Sequence, residues 1–238
     1  MKQLNLFKRI IFLDWHGVLS QDPFWTSIVN NNKHQLHGRM EINLKLVFSD
    51  KNVVNNWMRG DLSTNDIIRG MDIKRDGRFN ENFLTKRLHD DCAQMRINVQ
   101  LLHALRKFRP GVMVVLATDN MDCFAETFNR LRGGRNLRYV RKDILQHWAH
   151  FCDDIICSSE EKALKSEDPC GFFGPRLKEY GLAFSDAFLI DDRADNCDSF
   201  RAQGGNAVQW KMDENDVEIV TAEISRWLNN RRSEHTDR

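Results

Sequence analysis

Residues 9–19 read RIIFLDWHGVL, and the fold turns on how that stretch is parsed. A short apolar run bounded by Arg9 and Asp14 is the pattern of a strand buried on both faces, here assigned to 9–14. Four further runs repeat it at 112–118 (VMVVLAT), 154–158 (DIICS), 187–191 (AFLID) and 206–210 (NAVQW). Helical patterns at 121–131, 171–180 and 196–203 follow the second, third and fourth runs. Val217, Val220, Ile224, Trp227 and Leu228 mark the apolar stripe of a last helix. Such alternation predicts a Rossmann-like α/β fold, a parallel sheet of about five strands with helices on both faces.

The first two strands break the rhythm. About 90 residues separate them, far more than a strand–helix–strand crossover needs. The intervening segment reads as helical, with candidates at 24–31, 39–48, 52–58, 64–71, 80–88 and 99–108. The expected organisation is a core formed by 1–19 and 106–238, interrupted by a helical cap at 20–105.

The chain has 238 residues, 41% of them hydrophobic and 29% charged, enough for a core of its own and too apolar for a disordered chain. Lys and Arg total 35 against 34 Asp and Glu. That balance removes the bulk-charge argument for a nucleic-acid or membrane-surface protein. No apolar run approaches the ~20 residues of a membrane span. Lys8, Arg9 and Asp14 interrupt the only apolar stretch near the N-terminus, so a cytoplasmic protein is expected. The six cysteines show no CxxC and read as free thiols. His147, His150, Cys152 and Cys157 offer an N2S2 zinc set, but their spacing is irregular and Cys157 falls at a strand end.

Ligands in open α/β sheets sit at the carboxyl ends of the strands. Asp14 ends the first strand. Thr118 ends the second, followed by Asp119 and Asn120, and Asp191–Asp192 close the fourth. Lys162 and Lys165 lie between the third and fourth, in SSEEKALKSEDP. Carboxylates gathered at one edge suit a hard cation with oxygen ligands, above all Mg²⁺, which would also neutralise a phosphoryl group.

These residues, in this order, resemble the motifs of the haloacid dehalogenase-like (HAD) hydrolase superfamily. The resemblance runs through Asp14-Trp15-His16-Gly17-Val18, Thr118 in VVLATDN, Lys165 in KSEDP and the acid pair in FLIDDRADN. It covers nearly the whole chain, and WMRGDLSTNDI (57–67) resembles a recurrent piece of the helical cap placed between the first two motifs. The resemblance implies a Mg²⁺-dependent phosphatase acting through an aspartyl-phosphate on Asp14. Asp14, the backbone carbonyl of His16, Asp191 and Asp192 would hold the metal. Thr118 and Lys165, with Asp119 and Asn120 beside them, would bind the transferring phosphoryl group. Lys162 competes with Lys165 for the third motif, where Ser166 replaces the usual proline.

His16 departs from the pattern, because family phosphatases carry a second Asp there. Three readings follow. Imidazole, with an unperturbed pKa near ~6.5, can protonate the leaving oxygen and then activate water. Alternatively, the site binds a phosphorylated ligand, nucleic-acid end or protein partner and turns over weakly. The third reading is other chemistry: DWHGV is close to the DWAGT of phosphonoacetaldehyde hydrolases, while family dehalogenases lack the paired acids present here at Asp191–Asp192.

Substrate expectations rest on basic residues. His34, His37, Arg39, Arg59, Arg69, Arg75 and Arg78 lie in the cap; most of them read as solvated helix faces, and one or two could grip a second phosphate or a carboxylate. The segment 129–142, NRLRGGRNLRYVRK, holds six basic residues and no acid. It reads as a solvated loop or, less favoured, as a patch for a nucleotide or nucleic-acid end. The expected partner is a phosphorylated small molecule or nucleotide.

Overall fold

The protein is described by a computed structural model, which covers residues 7–73, 78–109, 111–133, 143–149, 151–214 and 216–234. Five strands form one parallel sheet: β1 (Arg9–Leu13), β2 (Val112–Thr118), β3 (Asp154–Cys157), β4 (Ala187–Asp191) and β5 (Asn206–Gln209). Their order is β3-β2-β1-β4-β5. The five apolar runs are these strands, to within a residue at each end.

Alternation along β1 separates two cores. Ile10 and Phe12 face one side with Val115, Leu189, Phe173 and Phe200. Ile11 and Leu13 face the other with Val114, Leu116, Phe188 and Ile190. Ile10 to Leu13 are all fully buried, worth about 1.5–3 kcal/mol for each such side chain. No polar position survives in this stretch because both faces are covered.

Among the described residues, six α-helices lie between β1 and β2: α1 (Thr26–Val29), α2 (His37–Ser49), α3 (Lys51–Met58), α4 (Thr64–Gly70), α5 (Glu81–Ala93) and α6 (Val99–Leu105). Their starts are written locally. Asp50 caps α3 by accepting from the Asn52 and Val53 amides, and Asn80 caps α5 through the Phe83 amide. Ser63 and Asp66 form a reciprocal capping box on α4. The helical insertion expected after the first strand is present, although α6 packs against the last helix of the chain.

After β2 come α7 (Asp122–Gly133), α8 (Leu145–Trp148), α9 (Ser158–Glu161), α10 (Pro169–Tyr180), α11 (Ala194–Ala202) and α12 (Val217–Glu234). Helices α6, α7 and α12 contribute to the Ile11–Leu13 side, whereas α10 and α11 cover the Ile10–Phe12 side. No helix among the described residues is long and apolar enough to cross a membrane.

Register converges the strand ends. Leu13 pairs with Leu116 on β2 and with Ile190 on β4, so Asp14 emerges beside Ala117 and Asp191. Its amide donates to the Ile190 carbonyl at 2.9 Å.

Candidate active site

The strand ends gather an ion cluster. Lys165 is 1% exposed, and its Nζ lies 2.8 Å from Asp14 Oδ1 and 2.5 Å from Asp191 Oδ2. The same ammonium donates to the Ala117 carbonyl at 3.3 Å. The Lys165 backbone is fixed as well, since its amide donates to Asp119 Oδ1 at 3.1 Å. Of the two lysines left open by the sequence, Lys165 therefore stands in the site. Lys162 adopts a left-handed backbone (φ 59°) and sends its ammonium to the Gly60 carbonyl in the cap, 2.6 Å away.

Asp14, Asp191 and Asp192 present carboxylate oxygens within 4.8 Å of one another. Asp191 is further held by Asn196, whose Nδ2 donates to Oδ1 at 3.0 Å, and by the Arg193 amide at the same distance. Negative charge outweighs positive here. Burial pushes the Asp14 carboxyl up to about 8; Lys165 opposes this and Asp191 adds to it. Burial likewise raises Asp119, and burial together with Asp191 raises Asp192. Lys165 is held above its ordinary range: burial opposes its charge, but Asp14, Asp191 and Asp119 outweigh that penalty.

This donor set fits a hard divalent cation. Three carboxylates converge, the ionised forms of Asp14 and Asp192 are disfavoured without further positive charge, and the buried Asn196 Oδ1 has no hydrogen-bond partner. Asp14, Asp191 and Asp192 could hold Mg²⁺. Among the described residues, this is the sole such group of acids, histidines or cysteines. The side chains of His147 and His150 lie outside the described residues. Cys152 and Cys157 are buried, with burial pushing both thiols up to about 12.

Above the cluster opens a cavity of about 400 Å³, walled in part by Asp14, His16, Asp119, Asn120, Lys165 and Asp192. His16 is exposed and stands near enough to Asp192 to favour its charged form. Thr118 is 1% exposed and its hydroxyl has no hydrogen-bond partner, but the residue does not line the cavity. Asn120 is pinned at the floor: its amide donates to Ser158 Oγ at 2.9 Å, and its Oδ1 accepts from the Met121 amide at the same distance.

The cap closes over this floor through contacts absent from the motif reading. Asp122 accepts from Trp57 Nε1 at 3.1 Å, from the Thr64 amide at 2.9 Å and from the Thr64 hydroxyl. Ser158 Oγ donates to the Met58 carbonyl at 2.7 Å, and Arg59 pairs with Glu167 at 2.7 Å. The adjacent Asp119-Asn120-Met121-Asp122 stretch was the available signal, because polar residues directly after a strand end are placed to meet whatever covers it.

The basic cap residues stand as surface groups, the reading the sequence favoured for most of them. None of the described ones lines the cavity, so none is placed to grip a second anion there. Arg39 pairs with Asp72, Arg69 with Glu81, and Arg78 lies over the Phe79 ring. His34 stacks on Phe83, and His37 faces Glu41 and the Ile28 carbonyl. Partners within the cap engage these groups. Arg75 lies outside the described residues, as do 134–142 of the basic segment. Arg132, before that gap, donates to the Asp153 carbonyl at 2.7 Å.

No family model and no curated protein matches the chain. Solved structures do. A HAD-like family hydrolase from Porphyromonas gingivalis superposes with a TM-score of 0.62 at 14% identity, covering 91% of this chain and 97% of that one. A HAD family enzyme from Bacteroides thetaiotaomicron, in complex with magnesium and inorganic phosphate, gives 0.58 at 16% identity over 87% and 96%. An L-2-haloacid dehalogenase from Xanthobacter autotrophicus gives 0.54 at 11% identity over 84% and 76%. The chain thus has the HAD-like fold. The likeness spans both phosphate-binding and dehalogenating proteins, so the choice between chemistries falls to this chain's own residues.

Proposed function

We propose that the chain is a Mg²⁺-dependent phosphomonoester hydrolase acting through an aspartyl-phosphate on Asp14. The observation that carries this reading is the convergence of Asp14, Asp191 and Asp192 around Lys165. A dehalogenase needs no such set of cation-binding acids. In this reading the catalytic core comprises 1–19 and 106–238, the cap 20–105, and the substrate is a phosphorylated small molecule. The phosphatase reading is consistent with the magnesium and phosphate of the Bacteroides protein.

Bound Mg²⁺ would supply positive charge to the transferring phosphoryl oxygens and lower the cost of ionising Asp14. It would be held by Asp14, Asp191 and Asp192, with the His16 carbonyl as a further donor. The chain does the rest. The Asp14 carboxylate attacks phosphorus while the bond to the leaving oxygen breaks, and His16 gives that oxygen a proton. His16 then takes a proton from water, which attacks phosphorus and breaks the acyl–phosphate bond. Asp14 is regenerated and inorganic phosphate leaves. Lys165 aims Asp14 and offsets its charge, and the unpartnered Thr118 hydroxyl, buried outside the cavity wall, would have to be uncovered before it could donate to a phosphoryl oxygen.

The test is turnover of an aryl phosphate with Mg²⁺, repeated with a chelator and with Asp14→Asn. Both changes should abolish phosphate release. Absence of turnover in the wild type across a broad phosphate panel would leave a module that binds phosphorylated ligands without hydrolysing them.

A further inference from the structure

The charged floor accounts for only part of the cavity wall. Much of the rest is lined by Phe24, Phe48, Val54, Met58, Met95 and Met121, drawn from both cap and core. Met95 and Met121 are nearly fully buried, whereas Phe48 is 44% exposed, so the apolar wall runs from the interior to the surface. Phe24 and Phe48 both stack near Trp57, with ring centroids 5.9 and 6.4 Å away, which gives this part of the wall an aromatic backing. Three methionines in one small cavity form an adaptable apolar lining.

Charge at the rim points the same way. Beyond the floor, the ionic groups of the wall are Asp22 and Arg193. Asp22 brings a carboxyl group, which accepts from the Arg96 amide at 2.6 Å. The Arg193 guanidinium is clamped on Asp195 through Nε and Nη2 at 3.0 and 2.5 Å. A second phosphate or a carboxylate would meet Asp22, and Arg193, the cation in the wall beyond the floor, is already paired with Asp195. A sugar or base would bring polar atoms to a wall of Phe, Val and Met, losing water hydrogen bonds without replacement.

We infer that the site takes monophosphates of apolar, uncharged alcohols, with an aromatic or branched aliphatic group lying between Phe24, Phe48, Val54 and Met58. The inference rests on the phosphoryl-site reading of the floor. The cavity volume of about 400 Å³ lies near the lower end of the ~300–1,000 Å³ usual for small-molecule sites, which fits a phosphate plus one compact apolar group.

Binding separates this inference from the hydrolase reading. Non-hydrolysable phosphonates are titrated calorimetrically into the wild-type protein with Mg²⁺. Naphthylmethylphosphonate should bind at least about tenfold more tightly than hydroxyethylphosphonate, and phosphonoacetate should bind no better than the latter. Phe48→Ser at an exposed position and Val54→Asn at a half-buried one should each cut the naphthyl preference about threefold or more and leave hydroxyethylphosphonate binding unchanged. Equal affinities, or tighter binding of phosphonoacetate, would overturn the inference even if aryl phosphates are hydrolysed. Preference without turnover would uphold it and remove the hydrolase reading. Absence of phosphonate binding would overturn both.

Discussion

Gly17 approaches Asp192 so closely that a Cβ on the glycine would stand 2.3 Å from Asp192 Oδ2. The glycine also has φ +78°, in the left-handed region that side chains resist. Its neighbours fix it there: the Gly17 amide donates to the Ser20 carbonyl and its own carbonyl accepts from Met212, each at 2.8 Å. The loop after β1 is thereby pressed against the acid pair after β4. Gly17→Ala should cost roughly 1–2 kcal/mol from the backbone alone. By displacing Asp192 it should also weaken Mg²⁺ binding about 10–100-fold, the scale for disturbing a ligand's support. Calorimetric titration with Mg²⁺ checks this, and unchanged affinity would show that Asp192 does not depend on the contact.

Lys165 pairs with two buried acids at once. Lys165→Met keeps the volume and removes the charge, leaving Asp14 and Asp191 uncompensated. We expect a loss of about 3–5 kcal/mol in denaturant unfolding without Mg²⁺. Added Mg²⁺ should recover part of it, because the cation substitutes for the missing charge. Turnover should fall about 10²–10³-fold even with Mg²⁺ saturating. A variant as stable as the wild type would mean the ion pairs are not formed in solution.

His16 separates the readings left open by its departure from the family pattern. If it is the acid and base, His16→Ala should lower turnover about 10²–10⁴-fold and His16→Asp should restore much of it. The side chain is exposed, so neither change should alter stability by more than about 0.5 kcal/mol. Full activity in His16→Ala would exclude the role.

Asp122 holds the cap to the core by accepting from Trp57 and Thr64. Asp122→Ala would leave the buried Trp57 Nε1 with a single long bond to the Thr64 hydroxyl at 3.3 Å. The expected costs are about 1–3 kcal/mol of stability, a higher KM for aryl phosphates and a shift in tryptophan emission, with Mg²⁺ affinity unchanged. An unaltered KM and emission would mean that the cap is positioned by its other contacts.

Legibility in the sequence divides along physical lines. Strands β1 to β5 are readable because burial on both faces removes polar residues, leaving runs such as VMVVLAT. Asp14, Asp191 and Asp192 are readable because parallel register carries strand ends to one edge. Helices α8 and α9 are missed because four residues carry no period. The choice between Lys162 and Lys165 is invisible three residues apart; a left-handed φ at Lys162 and a bond to Gly60 decide it. The arginines of the cap read correctly as mostly surface groups, but composition cannot reveal which acids engage them, as Asp72 does Arg39 and Glu81 does Arg69. The apolar part of the cavity wall is hidden for another reason. Phe24, Val54, Met95 and Met121 lie far apart in the chain and meet only when the cap docks.

The central claim is that Asp14 becomes phosphorylated. A radiolabelled aryl phosphate is mixed with the protein and Mg²⁺, quenched in acid within one turnover, and the digested chain is searched for label. The account predicts an acid-stable, hydroxylamine-sensitive label on the peptide containing Asp14, absent in Asp14→Asn and absent when Mg²⁺ is chelated. Turnover without label on that peptide, or label persisting in Asp14→Asn, would contradict it.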